Sequence, residues 1–436
     1  MSVHEHKKLL EELGVDVERH AKMMEMGYEG YKNQFMSQTN RPKAMEYFDW
    51  FMSEVQGQRI AEINELRKNK KPAIGAFCIF VPEEIIVGAG GACFGLCGGS
   101  PATIADAETE LPRNICPLIK SAYGFKLQKT CAYTQSADFI YGETTCEAKK
   151  KTWELLNKHH PVKVMNIPHM KREKDLKMWK EELSEFKEHM EEITKKPLTF
   201  EEMKNGVKIV NEKRFALQRL DRLRSMNGSD VIPISAKDAL FITQISFLDD
   251  PIRFTQKLND LCDELEQRVK ENNSVYKKET PRLMVLGTPF ALPNWKLHTA
   301  VETSGGAIVN EESCIGHRYY KDNVDIDEIK DEDSLMEKLL QKYSSVDCAC
   351  FTPNTPRIDK ILQMYKDRKL DGVIYYSLSF CHTYNVEAKL VTDALEKEGI
   401  PALVIESDYS PEDAGQIKTR VEAFLESINF KKMKKN

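Results

Sequence analysis

Eleven cysteines stand in a chain of 436 residues, and six of them recur in the same order in its two halves. In the first half they close "VGAGGACFGLC" (Cys97), sit in "NICPL" (Cys116) and end "ADFIYGETTC" (Cys146). In the second they close "VETSGGAIVNEESC" (Cys314), sit in "DCACFTP" (Cys348) and end "DGVIYYSLSFC" (Cys381). In a reducing compartment disulfides do not persist, so such a count points to core packing or to a metal. A structural zinc takes four ligands, usually as paired knuckles, and only Cys93 with Cys97 has that spacing. Iron–sulfur cubanes are also held by thiolates, normally four each. Three per half leaves each cubane one ligand short, to be filled by water or substrate, by a residue from elsewhere, or by a bridge to a second cluster.

The elements that must position these thiols can be read from the same stretches. "PAIGAFCIF", "ADFIYGETTC", "VKVMNIP", "RLMVLGTPF", "GAIVN", "DGVIYYSLSFC" and "PALVIESDY" are short apolar runs, as expected of strands covered on both faces. Gly-rich turns follow the first of them. Helical stretches alternate with the strands, which predicts parallel sheets. In such sheets the carboxyl ends of the strands gather on one side, where sites form, and Cys146 and Cys381 fall at two such ends. The fold class expected is α/β: two similar Rossmann/flavodoxin-like domains with parallel sheets, a helical N-terminal segment and a helical insert. The boundaries expected are 1–70 for the N-terminal segment, 71–170 for the first α/β domain, 171–275 for the insert and 276–436 for the second α/β domain.

Within the insert the residues from 171 to 228 are strongly charged and read as a solvated bundle. Pro197 interrupts it, and Thr199 with Glu202 forms a capping box at the start of a second helix. Another helix follows Pro251, with Leu258, Leu261, Leu265 and Val269 on one stripe. The last helix is expected to have Ser410 as its N-cap, Pro411 in its first turn and Asp413 three residues after the cap.

Composition narrows the classes. A chain that is 41% hydrophobic and 30% charged is globular, and no run reaches the ~18 apolar residues of a membrane span. The opening "MSVHEHKKLLEELG" lacks the apolar core of a signal peptide, so a cytoplasmic location is expected. A net charge of -5 argues against nucleic acid as a partner. No G-x-x-x-x-G-K-[ST] is present, so no P-loop is expected to bind nucleotide.

"ICPLIKSAYGF", "ADFIYGETTCEAKKKTWELL", "DGVIYYSLSFCHTYNVEAKLV" and "IPALVIESDYSPEDAGQIKTRVEAFLE" resemble the 2-hydroxyacyl-CoA dehydratase and benzoyl-CoA reductase superfamily over about residues 70 to 430. Its dehydratase subunits typically use three cysteines for one cubane, and the matching motifs would put these at Cys116, Cys146 and Cys381. The surplus of Cys97, Cys314 and Cys348 resembles the double-cubane cluster proteins, in which two [4Fe-4S] units share a bridging sulfide as [8Fe-9S]. That resemblance implies an iron–sulfur reductase, a homodimer fed with electrons by an ATP-hydrolysing [4Fe-4S] activator and acting on small molecules such as acetylene, azide or hydrazine. The alternatives are a dehydratase-type subunit with one [4Fe-4S] cluster and a non-catalytic electron-storage protein. His382, beside Cys381, is the expected proton donor.

The remaining cysteines have plainer readings. Cys78, within an apolar strand, and Cys262, on a leucine stripe, are expected to pack as small hydrophobes. Cys93, Cys131 and Cys350 stand in reserve as substitutes for the six.

Overall fold

A computed structural model describes residues 5–435. Helices Val17–Tyr31, Glu46–Glu54 and Gln58–Lys68 precede the first sheet, which contains β1 (Ala73–Ala76), β2 (Ala92–Gly95), β3 (Phe139–Glu143) and β4 (Val162–Met165). The second sheet contains β5 (Arg282–Gly287), β6 (Ala307–Glu312), β7 (Gly372–Leu378) and β8 (Ala402–Ser407). Every pairing is parallel, and the strand orders are β2-β1-β3-β4 and β6-β5-β7-β8. The two sheets therefore have one topology, and each half is a Rossmann/flavodoxin-like unit. Parallel neighbours need a crossover segment, which is why helices alternate with the strands.

Because successive strand residues point to opposite faces, each sheet feeds two cores. Leu283 and Val285 of β5 and Ile374 and Tyr376 of β7 join one buried cluster, together with Phe35, Phe48 and Phe51 of the N-terminal segment. Met284, Leu286, Val373 and Tyr375 join the other, with Trp179, Leu183 and Phe186 of the insert. Ala73 and Phe77 belong to the first cluster and Ile74 and Ala76 to the second. Both cores draw on both halves, so the lobes are packed against one another over continuous apolar surface.

The strand read from "PAIGAFCIF" ends early, at Ala76. The chain leaves the sheet at Phe77, whose ring stacks on Trp153 with centroids 4.7 Å apart. Cys78 is therefore not a strand residue. The Gly-rich stretch after it contains β2, which pairs with β1 through Ala92–Gly95.

In the insert, helices Glu173–Thr194 and Phe200–Ser225 are separated at Pro197, and the capping box forms as expected: the Glu202 amide donates to Thr199 Oγ1 (3.3 Å) and the Thr199 amide to the Glu202 carboxylate (3.0 Å). The Phe200–Ser225 helix is not a solvated bundle member, however. Lys213, Arg214 and Arg224 are buried, paired with Glu83, Glu84 and Glu311 of the two α/β lobes. Charges that read as solvated are buried because each meets an opposite charge from a distant part of the chain. The last helix begins at Ala414 rather than beside Ser410. Ser410 Oγ accepts only from the Glu412 amide (3.2 Å), while the Asp413 carboxylate is occupied by Lys296 and by Ser407 Oγ. Among the described residues no helix is long and apolar enough to cross a membrane.

Candidate functional site

The carboxyl ends of both sheets open onto one cavity of about 380 Å³. Phe77 and Cys78 follow β1, Cys97 follows β2, and Thr145 and Cys146 follow β3; from the other sheet come Thr288 and Pro289 after β5, Cys314 after β6, and Phe380 and Cys381 after β7. β1/β3 and β5/β7 are the neighbours at which strand order reverses, the position where open parallel sheets form binding crevices. The volume lies in the range of small-molecule sites, about 300–1,000 Å³.

All six expected cysteines line this cavity, as do Cys78, Cys93 and Cys350. Cys116, Cys146 and Cys381 are the residues that open helices Pro117–Leu127, Glu147–Leu156 and His382–Lys397, and none of these helices has a side-chain cap. Phe380 is held at φ 61°, a left-handed conformation that costs a bulky residue roughly 1–3 kcal/mol. His382 is exposed and lies at the cavity wall. Cys131 opens the Ala132–Ser136 helix, away from the residues that line the cavity, and Cys262 is fully buried on its helix as expected. The sequence reading missed Cys78 as a wall residue; its signal was a place just past the carboxyl end of β1.

The thiols are free and meet one another in series. Cys78 neighbours Cys314, Cys314 neighbours Cys348, and Cys348 neighbours Cys350, each thiol influencing the ionisation of the next, while Cys116 meets Cys381 across the lobes. Among the described residues no three His, Cys, Asp or Glu side chains form a group that could hold a metal ion. A serial arrangement shares protons between neighbouring sulfurs, whereas a metal or cluster needs several deprotonated donors about one point. This corrects the expected cofactor: the thiols do not form the ligand shells of an [8Fe-9S] double cubane or of a single [4Fe-4S] cluster. With it fall the double-cubane assignment, the iron–sulfur reductase activity, and the iron–sulfur dehydratase and electron-storage alternatives. Spacing in the sequence brought the right residue type to one cavity but did not determine where the sulfur atoms converge.

Charged side chains divide the cavity wall. The Glu83–Gly88 helix crosses the Phe200–Ser225 helix closely: a Cβ on Gly206 would come within 2.1 Å of the Glu84 carbonyl oxygen. This approach puts Glu83 against Lys213 and Glu84 against Arg214 (2.7 Å). Tyr319 Oη donates to Glu83 Oε2 (2.6 Å) and Tyr343 Oη to Glu84 Oε2 (2.6 Å). Behind the wall residues Cys314 and Tyr384, the fully buried Arg318 pairs with Glu312 (2.9 Å), donates to Tyr384 Oη and approaches Cys314 Sγ (3.8 Å). Cys348 Sγ contacts Tyr384 Oη at 3.5 Å. Hydrogen bonds from Cys314 and Cys350, with Arg318 nearby, hold the Cys348 thiol well below its usual range although burial opposes this. Burial pushes Cys97 up to about 12. Burial disfavours the charge on Lys149, one turn into its helix, but the neighbouring Glu143 carboxylate (3.5 Å) favours it.

Comparison with known proteins agrees with this frame. The family described as "HGD-D: 2-hydroxyglutaryl-CoA dehydratase, D-component" matches residues 78–428. YjiM of Escherichia coli (strain K12) is 31% identical, over 87% of this chain and 97% of its own length. The (R)-phenyllactyl-CoA dehydratase beta subunit of Clostridium sporogenes is 22% identical, over 88% of this chain and 99% of its own. A benzoyl-CoA reductase subunit of Thauera aromatica is 23% identical, over 82% and 89%.

Proposed function

We propose that this chain, which belongs to the 2-hydroxyglutaryl-CoA dehydratase D-component family, is an acyl-CoA-binding subunit whose interlobe cavity receives the acyl end of a thioester. One observation carries the reading: the reversal points of two parallel sheets open onto a single cavity, whose lining includes the apolar side chains of Phe77, Ile79, Phe94, Leu118, Ile119 and Phe247. Such a surface suits an apolar acyl group, with a few polar groups to orient it. The thioesters named for two of its relatives, phenyllactyl-CoA and benzoyl-CoA, have acyl groups of this kind. The six cysteines are walls of the site, and His382 is the proton-handling residue at its edge.

The same proposal takes the chain as 1–70, 71–170, 171–275 and 276–436, with the two α/β units on either side of the cavity. It also takes a second copy of the chain and an ATP-hydrolysing activator as partners; the names of the relatives, which are those of subunits, support assembly with other chains. Equilibrium dialysis of the purified chain against benzoyl-CoA and against free CoA tests the reading. Retention of the thioester with no retention of CoA is expected, and equal behaviour of the two contradicts it. Light scattering tests the second copy: twice the chain mass is expected, and a monomer contradicts it.

A further inference from the structure

The last turn of the Pro117–Leu127 helix carries a lysine that meets no carboxylate. Lys126 is partly buried, forms no ion pair among the described residues, and donates from Nζ to Gln135 Oε1 and to His160 Nδ1 (3.0 Å). Gln135, on the Ala132–Ser136 helix, is fixed in this orientation because its Nε2 donates to the Gly14 carbonyl oxygen (2.9 Å), which leaves Oε1 for the lysine. His160 lies just before β4, and burial together with the Lys126 charge lowers it to about 4, so the ring is neutral and its Nδ1 is an acceptor. None of these three side chains lines the interlobe cavity.

Two acceptors and no anion favour the free amine. A protonated lysine has three N–H donors, whereas the neutral form has two and a lone pair. Gln135 and His160 accept both hydrogens of the neutral form and leave its lone pair unengaged. Burial pushes Lys126 down to about 8, and the charge of Lys129 acts in the same direction, while the Cys131 sulfur opposes both. Desolvation and a neighbouring cation are the means by which a lysine becomes a nucleophile near neutral pH. Lys342 shows why exposure matters as well: its amine is pushed down to about 7, but the side chain is enclosed and no reagent reaches it.

We propose that Lys126 is a self-acylation site, which takes an acyl group from a thioester with Gln135 and His160 as its positioning residues. The amine nitrogen attacks the thioester carbonyl carbon; a C–N bond forms, the C–S bond breaks, and the electron pair of that bond leaves on sulfur as a thiolate. The proton given up by the amine passes to His160 Nδ1 and from there to the thiolate. The products are an amide and a free thiol, and nothing is oxidised or reduced. A thiol, with a pKa of about 8.5, is a far better leaving group than an amine, which makes the transfer run from sulfur to nitrogen. Because the site lies outside the cavity, the inference does not depend on what the cavity binds.

The test is incubation of the full-length chain with acetyl-CoA near neutral pH, sampled over time and read by peptide mass spectrometry. Acetylation of Lys126 should run about 10- to 100-fold faster than that of the exposed Lys129 and Lys195, because an ordinary lysine at about 10.4 holds far less free amine. The Lys126 rate should level off near its own pKa, whereas the rates of the two reference lysines keep rising. His160→Gln, which keeps an acceptor but cannot carry the proton, should lower that plateau by about 10-fold or more. Should His160→Gln fail to fold, the relative rate and the pH profile of Lys126 in the natural chain decide. Equal rates at Lys126 and the two reference lysines, a Lys126 rate that does not level off, or an unchanged plateau in a folded His160→Gln would overturn the proposal.

Discussion

Cys116 and Cys381, which open helices in opposite lobes, bring their thiols close enough together for each to influence the ionisation of the other. Both line the cavity between the sheets, so this contact ties the two halves together at the site itself. A short bifunctional bimane reagent should therefore bridge the pair under mild conditions. The expected peptide map contains a fluorescent link between Cys116 and Cys381, absent in Cys116→Ser, and the linked protein should melt at a higher temperature because its unfolded chain is constrained. A map in which neither residue is joined to the other contradicts the interlobe contact.

The buried Glu311–Arg224 pair makes stability depend on pH in a set direction. Burial alone would raise the Glu311 carboxyl, but a bidentate pairing with Arg224 (2.7 and 2.9 Å) and contact with His298 (3.2 Å) lower it to about 2. Its unfolded value is about 4.3, so the unfolded chain binds the proton first as pH falls. The contribution is complete above about 4.3 and is lost between there and about 2. Urea unfolding from about pH 6 to about pH 3 should show this loss. Glu311→Gln should remove that part of the slope and lower stability at neutral pH by roughly 3–5 kcal/mol, because Arg224 is left buried without its partner. An unchanged slope in the variant contradicts the assignment.

Two glycines should respond in opposite directions to alanine. Gly206 lies where helices Glu83–Gly88 and Phe200–Ser225 cross, and a Cβ there meets backbone atoms at 2.1 and 2.6 Å. Gly206→Ala should cost about 1–3 kcal/mol by forcing the helices apart. Gly30, in the Val17–Tyr31 helix, has nothing within 4 Å of such a Cβ. Gly30→Ala should stabilise by about 0.4–1 kcal/mol through reduced freedom of the unfolded chain. Chemical denaturation measures both, and a neutral Gly206→Ala contradicts the close crossing.

The fold was legible because strands buried on both faces leave unbroken apolar runs, and "GVIYYSL" and "RLMVLG" are such runs. That Cys146 and Cys381 line the cavity was legible for the same reason: a residue just past a parallel strand is delivered to the crevice. The arrangement of the sulfurs was not. Whether three thiols surround a point or follow one another in series depends on side-chain directions in loops, which spacing does not encode. Lys213 and Arg214 were misread for a different reason, since their partners Glu83 and Glu84 lie in another part of the sequence and a charged helix looks solvated until those partners are known. Ser410 presented every local sign of a cap, and tertiary contacts of Asp413 with Lys296 and Ser407 overrode them.

The central claim is that the interlobe cavity is where an acyl-CoA thioester binds. Its most direct test is calorimetric titration of benzoyl-CoA into the natural chain and into Ala148→Phe, which places a ring in the cavity from the first turn of the Glu147–Leu156 helix. The account predicts saturable binding to the natural chain and its loss in a variant that unfolds at the same temperature. Binding of equal strength in both, or none in either, would contradict it.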